Sequence, residues 1–213
     1  MKQGNWVRLL FEEGIQLKAD LGPENVFDFT IGNPAEGPPE IFREALRNLA
    51  ENPIPGMHGY MPNAGHPHVR KKIASHISEE CGIEVPFENL VMTAGAGGAL
   101  NVALHCLLNP GDEVIILSPY FLEYPIYIEN HGGNTVIAKT SPDYLLDIQA
   151  IDQAITERTK AIILNSPNNP SGVVYPSEQL GQLGDLLRSY KESSDRDIYL
   201  LCDEPYKNIC TTT

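Results

Sequence analysis

The sequence has few cysteines, no long apolar run and no signal-type N-terminus. Its four cysteines include no C-x-x-C pair, so we expect reduced thiols rather than a disulfide framework. The apolar runs at residues 114–117 and 161–164 are far shorter than the roughly 18 residues that cross a bilayer. Charged residues at Arg8, Glu12 and Glu13 interrupt the N-terminus before a signal peptide could form. We therefore predict no membrane association and a cytoplasmic location.

Basic residues are also scarce. The chain has 15 Lys and Arg against 28 Asp and Glu, a formal net charge of −13, which disfavours nucleic acid and anionic lipid as partners. No metal site is predicted, because the spacing of His58, His66, His68 and Cys81 matches no zinc pattern. G-x-S-x-G and H-E-x-x-H motifs are absent. With 213 residues, one sizeable core and a smaller lobe are expected.

Hydrophobic periodicity predicts an α/β fold. Helices are predicted at residues 4–19 and 39–49 and around Ile73. After Pro86, apolar segments alternate with helical ones, which is typical of a mostly parallel sheet covered on both faces. Ligands of such sheets bind at the carboxyl ends of the strands, so we expect the chemistry to follow each predicted strand. The five strands are predicted at residues 90–93, 113–117, 135–138, 160–165 and 198–202.

A loop of small residues, TAGAGGAL at 93–100, follows the first predicted strand and opens a helix. Bare backbone amides at a helix N-terminus favour an anion such as phosphate, although a glycine-dependent tight turn also accounts for the pattern. A dinucleotide fingerprint is disfavoured. It requires a third glycine where Leu100 stands and an acid where Ser118 stands.

Three further side chains stand at predicted strand ends. Phe121 offers an aromatic face, or belongs to the core, and Asn169 offers an amide, or only marks a turn before proline. Asp203 follows a buried strand, where a carboxylate needs a cationic or hydrogen-bonding partner. A protonated pyridine nitrogen, as in pyridoxal phosphate, is such a partner.

The segments GYMPNAG, TAGAGGAL, LLNPGDEVIILSP, NSPNNPSG and CDEPY, in this order, resemble the class I/II aminotransferases. This is the aspartate-aminotransferase-like branch of the fold-type I pyridoxal-phosphate enzymes. The resemblance covers residues 29–206. It implies the three-layer, mostly parallel sheet of the large domain, truncated before its last two strands and the C-terminal domain. Residues 1–50 would form an N-terminal arm and part of the small domain, and residues 51–213 an incomplete cofactor-binding large domain.

The resemblance also implies a set of binding residues. The cofactor phosphate would be held by the amides of Gly95, Ala96 and Gly97, and Tyr60 would reach the phosphate of the neighbouring subunit of a homodimer. The cofactor ring would be surrounded by side chains from the later motifs: Phe121 stacking on its face, Asn169 and Tyr206 at its phenolic oxygen, and Asp203 at its nitrogen. The substrate, an amino acid or a 2-oxo acid, would border the loop of Ile31, Gly32 and Asn33.

No catalytic residue is assigned within these 213 residues. The resemblance places the Schiff-base lysine beyond Thr213, and Lys207 does not match its motif position. The isolated chain is therefore expected to be inactive. Besides a truncated aminotransferase, two alternatives stay open: another fold-type I enzyme of the beta-lyase or elimination type, and a non-catalytic fragment or one half of a split protein.

The resemblance finally predicts a strand order. In the family, the two strands that follow the D-E-P-Y motif lie between the first predicted strand, near Val91, and the fifth, near Leu201. Without them, the order should be fifth, fourth, second, third. The first strand, at residues 90–93, should be left unpaired.

Overall fold

The structure is a computed structural model that describes residues 5–29, 32 and 37–209. The chain divides into two compact units, residues 1–91 and 92–213. The predicted division into functional domains at residue 50 stays a prediction.

The first unit is helical. Its helices are α1 (Asn5–Leu21), α2 (Glu40–Glu51) and α3 (Pro67–Cys81), which confirms the three helices predicted in this region. On α3, Arg70 is buried and donates from Nη2 to the carbonyl oxygen of Phe87 at 2.8 Å. By contrast, α2 has no buried residue, so its apolar side chains remain exposed in this chain.

The second unit contains a parallel sheet of four strands. Its elements are α4 (Gly95–Leu107), β1 (Glu113–Ser118), α5 (Tyr124–Asn130), β2 (Asn134–Lys139), α6 (Ile148–Ala154), β3 (Thr159–Asn165), α7 (Ser177–Ser194) and β4 (Tyr199–Asp203). The strand order is β2-β1-β3-β4, and all three pairings are parallel. Numbered as the predicted strands, this is third, second, fourth, fifth, so the predicted order is confirmed.

Each face of the sheet is covered by helices, because successive strand residues point to opposite sides. Ile115 and Ile162 pack on one face with residues such as Ile151 of α6 and Leu183 of α7. Val114, Ile116, Ala161 and Ile163 pack on the other face with α4 and α5. These two clusters make the predicted three-layer architecture.

An ion pair between the buried Glu113 and the exposed Arg158 fixes the amino end of β1. Glu113 is only 6% exposed and accepts hydrogen bonds from Thr156 Oγ1 at 2.5 Å and from Arg158 Nη2 at 2.8 Å. The bond from Thr156 contributes most and, with the Arg158 pairing, it holds the pKa of Glu113 below the ordinary value of 4.5, against the opposing effect of burial. The pair ties the turn before β3 to β1, at the edge of the sheet opposite to the strand ends where ligands are expected.

The strand predicted at residues 90–93 is not formed, and the segment pairs with none of the described strands, as the predicted strand order expects. These residues form no strand, and Val91 and Met92 are 56% and 40% exposed. The apolar pattern is that of a strand, but a strand forms only where a neighbour supplies hydrogen bonds to its backbone. The described sheet ends instead at β4, where Tyr199 and Leu200 are exposed.

The described cysteines, Cys81, Cys106 and Cys202, are all free and exposed. None of the helices in the described ranges combines the length and the apolar character that a membrane span requires.

Candidate functional site

A cleft of about 200 Å³ lies in the second unit, at the carboxyl edge of the sheet. Its walls come from the first turn of α4, the segment after β1, the loop after β3 and the end of β4. The carboxyl ends of parallel strands meet at one edge, and six of the eight predicted cofactor-binding residues consequently line this cleft: Ala96, Gly97, Phe121, Asn169, Asp203 and Tyr206.

The first turn of α4 has the features of an anion site. Gly95 begins the helix with a φ of 74°, which L side chains rarely adopt. The N-cap residue, Ala94, has no side-chain acceptor for the free amides of this turn. A Cβ atom on Gly97 would lie 2.9 Å from Tyr127 Oη, so this position lacks room for a side chain. Bare amides and the helix dipole therefore favour a negatively charged group here.

Asp203, the last residue of β4, places a buried carboxylate in the cleft. It is 9% exposed, and its Oδ2 accepts a hydrogen bond of 2.6 Å from the buried Tyr124 hydroxyl. Burial first, and then this hydrogen bond, raise the pKa of Tyr124 above its ordinary value of 10.0, so the phenol stays protonated and donates. Within the described part of the chain no ion pair reaches Asp203. A cationic ligand group would give this carboxylate a charged partner in addition to Tyr124.

Asn165 holds together the loops after β3 and β4. It is buried at the end of β3, and its Oδ1 accepts from the backbone amide of Asn169 at 2.6 Å. Its Nδ2 donates to the carbonyl oxygen of Asp203 at 2.8 Å. Asn169 Nδ2 donates to the Tyr206 hydroxyl at 3.2 Å. The two residues predicted at the phenolic oxygen therefore lie within hydrogen-bond distance of each other.

Aromatic residues form the wall between these groups. The rings of Phe121 and Tyr124 contact edge to face, with centroids 5.6 Å apart and an interplanar angle of 75°. Tyr127 donates from its hydroxyl to the carboxylate of Glu123. Burial first, and then this bond, raise the pKa of Tyr127 above 10.0. Its phenol therefore also stays protonated at neutral pH.

Three polar residues of the cleft had no predicted role: Tyr124, Tyr127 and Asn165. The available signal for the tyrosines was their i, i+3 spacing, which places both on one face of α5. Asn165 stood at the end of a predicted strand, but nothing in the sequence paired it with Asp203.

The remaining predicted site residues lie elsewhere. Gly95 opens α4 but does not line the cleft. In the first unit, Tyr60 and Gly32 are exposed. Ile31 and Asn33 lie outside the described residues. The binding role of each predicted residue stays a prediction.

The donor set of the cleft fits pyridoxal phosphate. An anion-binding turn suits its phosphate, a buried acid suits a protonated ring nitrogen, and an amide and a phenol suit its phenolic oxygen. No lysine lines the cleft in the part of the chain that the structure describes.

Known proteins are similar to this chain in sequence and architecture. The family model of aminotransferase class I and II matches residues 24–213. The aspartate/prephenate aminotransferase of Thermus thermophilus is 38% identical over 182 residues, which are 84% of this chain and 45% of that protein. The probable aspartate aminotransferase of Methanocaldococcus jannaschii is 30% identical over 191 residues, 89% of this chain and 48% of that protein. The chain thus spans about half the length of these relatives.

Solved structures of aminotransferases have the same fold as this chain. The aspartate aminotransferase of Thermus thermophilus with maleate superposes with a TM-score of 0.85 at 34% identity, covering 97% of this chain and 52% of that one. An amino transferase from Eubacterium rectale gives 0.90 at 35% identity, covering 95% and 52% of the two chains. Since the family model extends over most of the sequence and the relatives share its fold, this chain belongs to the aminotransferase class I and II family.

Proposed function

We propose that the protein containing this chain is a pyridoxal-phosphate-dependent aminotransferase, which transfers an amino group between an amino acid and a 2-oxo acid. Pyridoxal phosphate is the cofactor of this family. The observation that carries the proposal is the buried Asp203 carboxylate, which shares one cleft with the anion-binding turn of α4.

The predicted cofactor-binding residues then have distinct physical roles. Bound pyridoxal phosphate supplies an electron sink for the pair released when a substrate loses its α proton. Asp203 would hold the proton on the ring nitrogen, and Tyr124 orients Asp203 through the bond of 2.6 Å. Asn169 and Tyr206 would hydrogen-bond the phenolic oxygen. Phe121 would pack against the ring, and the amides of Gly95, Ala96 and Gly97 would hold the phosphate.

The proposal includes a homodimer and a cytoplasmic location. Tyr60 is fully exposed, which leaves its side chain available for the phosphate of a neighbouring subunit. The free thiols of Cys81, Cys106 and Cys202 agree with a reducing compartment. Gly32, also exposed, would lie beside the substrate together with Ile31 and Asn33.

The decisive experiment compares two isosteric variants of the gene product that contains these residues. Asp203→Asn should lower single-turnover transamination by about three orders of magnitude or more, because the ring nitrogen loses its proton. Asp143→Asn, on an exposed turn, is the matched control and should leave the rate unchanged. Equal rates for the two variants would show that Asp203 is not the ring acid.

The substrate requires a separate assay. Amino donors and 2-oxo acid acceptors are tested as a panel, starting with aspartate and prephenate because the Thermus relative is named for them. Turnover of neither an amino acid nor a 2-oxo acid in the complete protein would refute an aminotransferase.

A further inference from the structure

Tyr127 occupies an unusual place beside the first turn of α4. It lies on α5 and lines the cleft, and its Oη is 2.9 Å from the position that a Cβ atom of Gly97 would take. In a helix the Cα–Cβ bond tilts toward the N-terminus. The hydroxyl therefore lies toward the amino end of α4, where the free amides of the first turn are.

The present partner of this hydroxyl is replaceable. Tyr127 donates to the carboxylate of Glu123, which is exposed to solvent. A phenol has a single O–H and donates to one acceptor at a time. Water can hydrate an exposed carboxylate once the phenol turns away, so the exchange costs little. A phosphate held by the α4 amides would offer the phenol a second, charged acceptor.

We propose that Tyr127 is a further phosphate ligand of this cleft, whose O–H exchanges the Glu123 carboxylate for the cofactor phosphate. The inference rests on the proposed function, since it assumes that a phosphorylated pyridine binds here. It predicts opposite effects of two substitutions on phosphate binding. Loss of the Tyr127 hydroxyl should weaken phosphate binding. Loss of the Glu123 charge should strengthen it, because both a competing acceptor and a like charge disappear.

The test uses 4′-deoxypyridoxine 5′-phosphate, which has no aldehyde and so forms no imine with surface lysines. Its affinity for the 213-residue chain is measured by NMR titration and compared with that of unphosphorylated 4′-deoxypyridoxine. Tyr127→Phe should weaken the phosphorylated probe about tenfold or more and leave the other unchanged. Glu123→Gln should tighten the phosphorylated probe about threefold.

A second tyrosine–carboxylate pair supplies matched controls. Tyr190 donates to Asp152 at 2.8 Å and neither residue lines the cleft, so Tyr190→Phe and Asp152→Asn should change neither affinity. Circular dichroism verifies that each variant is folded. If Tyr127→Phe does not fold, the inference is decided by whether Glu123→Gln raises or lowers the affinity for the phosphorylated probe.

The outcomes separate the inference from the proposed function. Wild-type binding of neither probe would overturn the inference, and the comparison of Asp203→Asn with Asp143→Asn in the gene product that contains these residues would still decide the proposed function. Preference of the wild type for the phosphorylated probe, with no loss in Tyr127→Phe, would overturn the inference alone. An equal loss of affinity for both probes in Tyr127→Phe would assign Tyr127 a merely structural role and would also overturn the inference. So would an affinity of Glu123→Gln for the phosphorylated probe that is unchanged or weaker.

Discussion

Replacing Tyr124 by phenylalanine removes one hydroxyl and the hydrogen bond of 2.6 Å to Asp203. The two residues are 2% and 9% exposed, so water cannot readily take the place of the lost donor. Hydrogen bonds to charged groups contribute about 1.5–3 kcal/mol, and a buried acceptor left without a partner costs a similar amount. We therefore expect the free energy of unfolding to fall by about 2 kcal/mol.

The assay is urea denaturation at pH 7, followed by circular dichroism, for the wild type, Tyr124→Phe, Asp203→Asn and the double variant. The double-mutant cycle isolates the coupling between the two side chains. Tyr190→Phe is the control, because it removes an exposed phenol–carboxylate bond of 2.8 Å and should cost less than about 0.5 kcal/mol.

The same bond predicts a pH dependence. Because the pKa of Tyr124 is raised by folding, the stability that it contributes is fully present below its unfolded pKa, near 10, and is lost as the pH rises through the folded value. The stability of Tyr124→Phe should therefore decline less steeply above pH 10 than that of the wild type. A Tyr124→Phe variant within 0.5 kcal/mol of the wild type, or a coupling energy of about zero, would refute the reasoning.

Three other predictions concern the ion pair, the glycines of α4 and the cofactor. Glu113→Gln should lower the free energy of unfolding by about 1.5–3 kcal/mol at pH 7, whereas Asp185→Asn, which removes an exposed ion pair, should lower it by less than about 0.5 kcal/mol. Because folding lowers the pKa of Glu113, the stability difference between the wild type and Glu113→Gln should vanish as the pH falls from 4.5 through the folded value. A difference that stays constant with pH would contradict the role given to the Glu113 carboxylate. Gly97→Ala should weaken the binding of the phosphorylated probe several-fold, because the added Cβ displaces Tyr127 Oη. Gly98→Ala meets only ordinary contacts of 3.5 Å or more, so it should leave binding unchanged and stabilise the helix by about 0.5–1 kcal/mol. Pyridoxal phosphate should bind the isolated chain at most weakly and without a covalent bond, since no lysine lines the cleft in the described residues; a stoichiometric pyridoxyl adduct on one lysine after borohydride reduction, found by mass spectrometry, would disprove this.

The regular elements were predictable where a local pattern carries their physical cause. β1 and β3 are apolar runs buried on both faces, and such runs between helical segments predict parallel strands without further information. The segment at residues 90–93 has the same pattern and no strand structure. Strand formation depends on a hydrogen-bonding neighbour, and the identity of that neighbour is not written in the segment itself.

For the cleft, the sequence by itself determined the chemical types. A carboxylate after a buried strand, amides after another and a small-residue turn at a helix start were readable from order and spacing, because parallel strands bring their carboxyl ends to one edge. Only the tertiary structure decided the contacts between them. Tyr124 and Asp203 are 79 residues apart in the chain, and Asn165 and Asp203 are 38 apart. Hydrophobic periodicity reports which face of an element is buried, but a hydrogen bond between distant residues depends on how the buried faces pack in three dimensions.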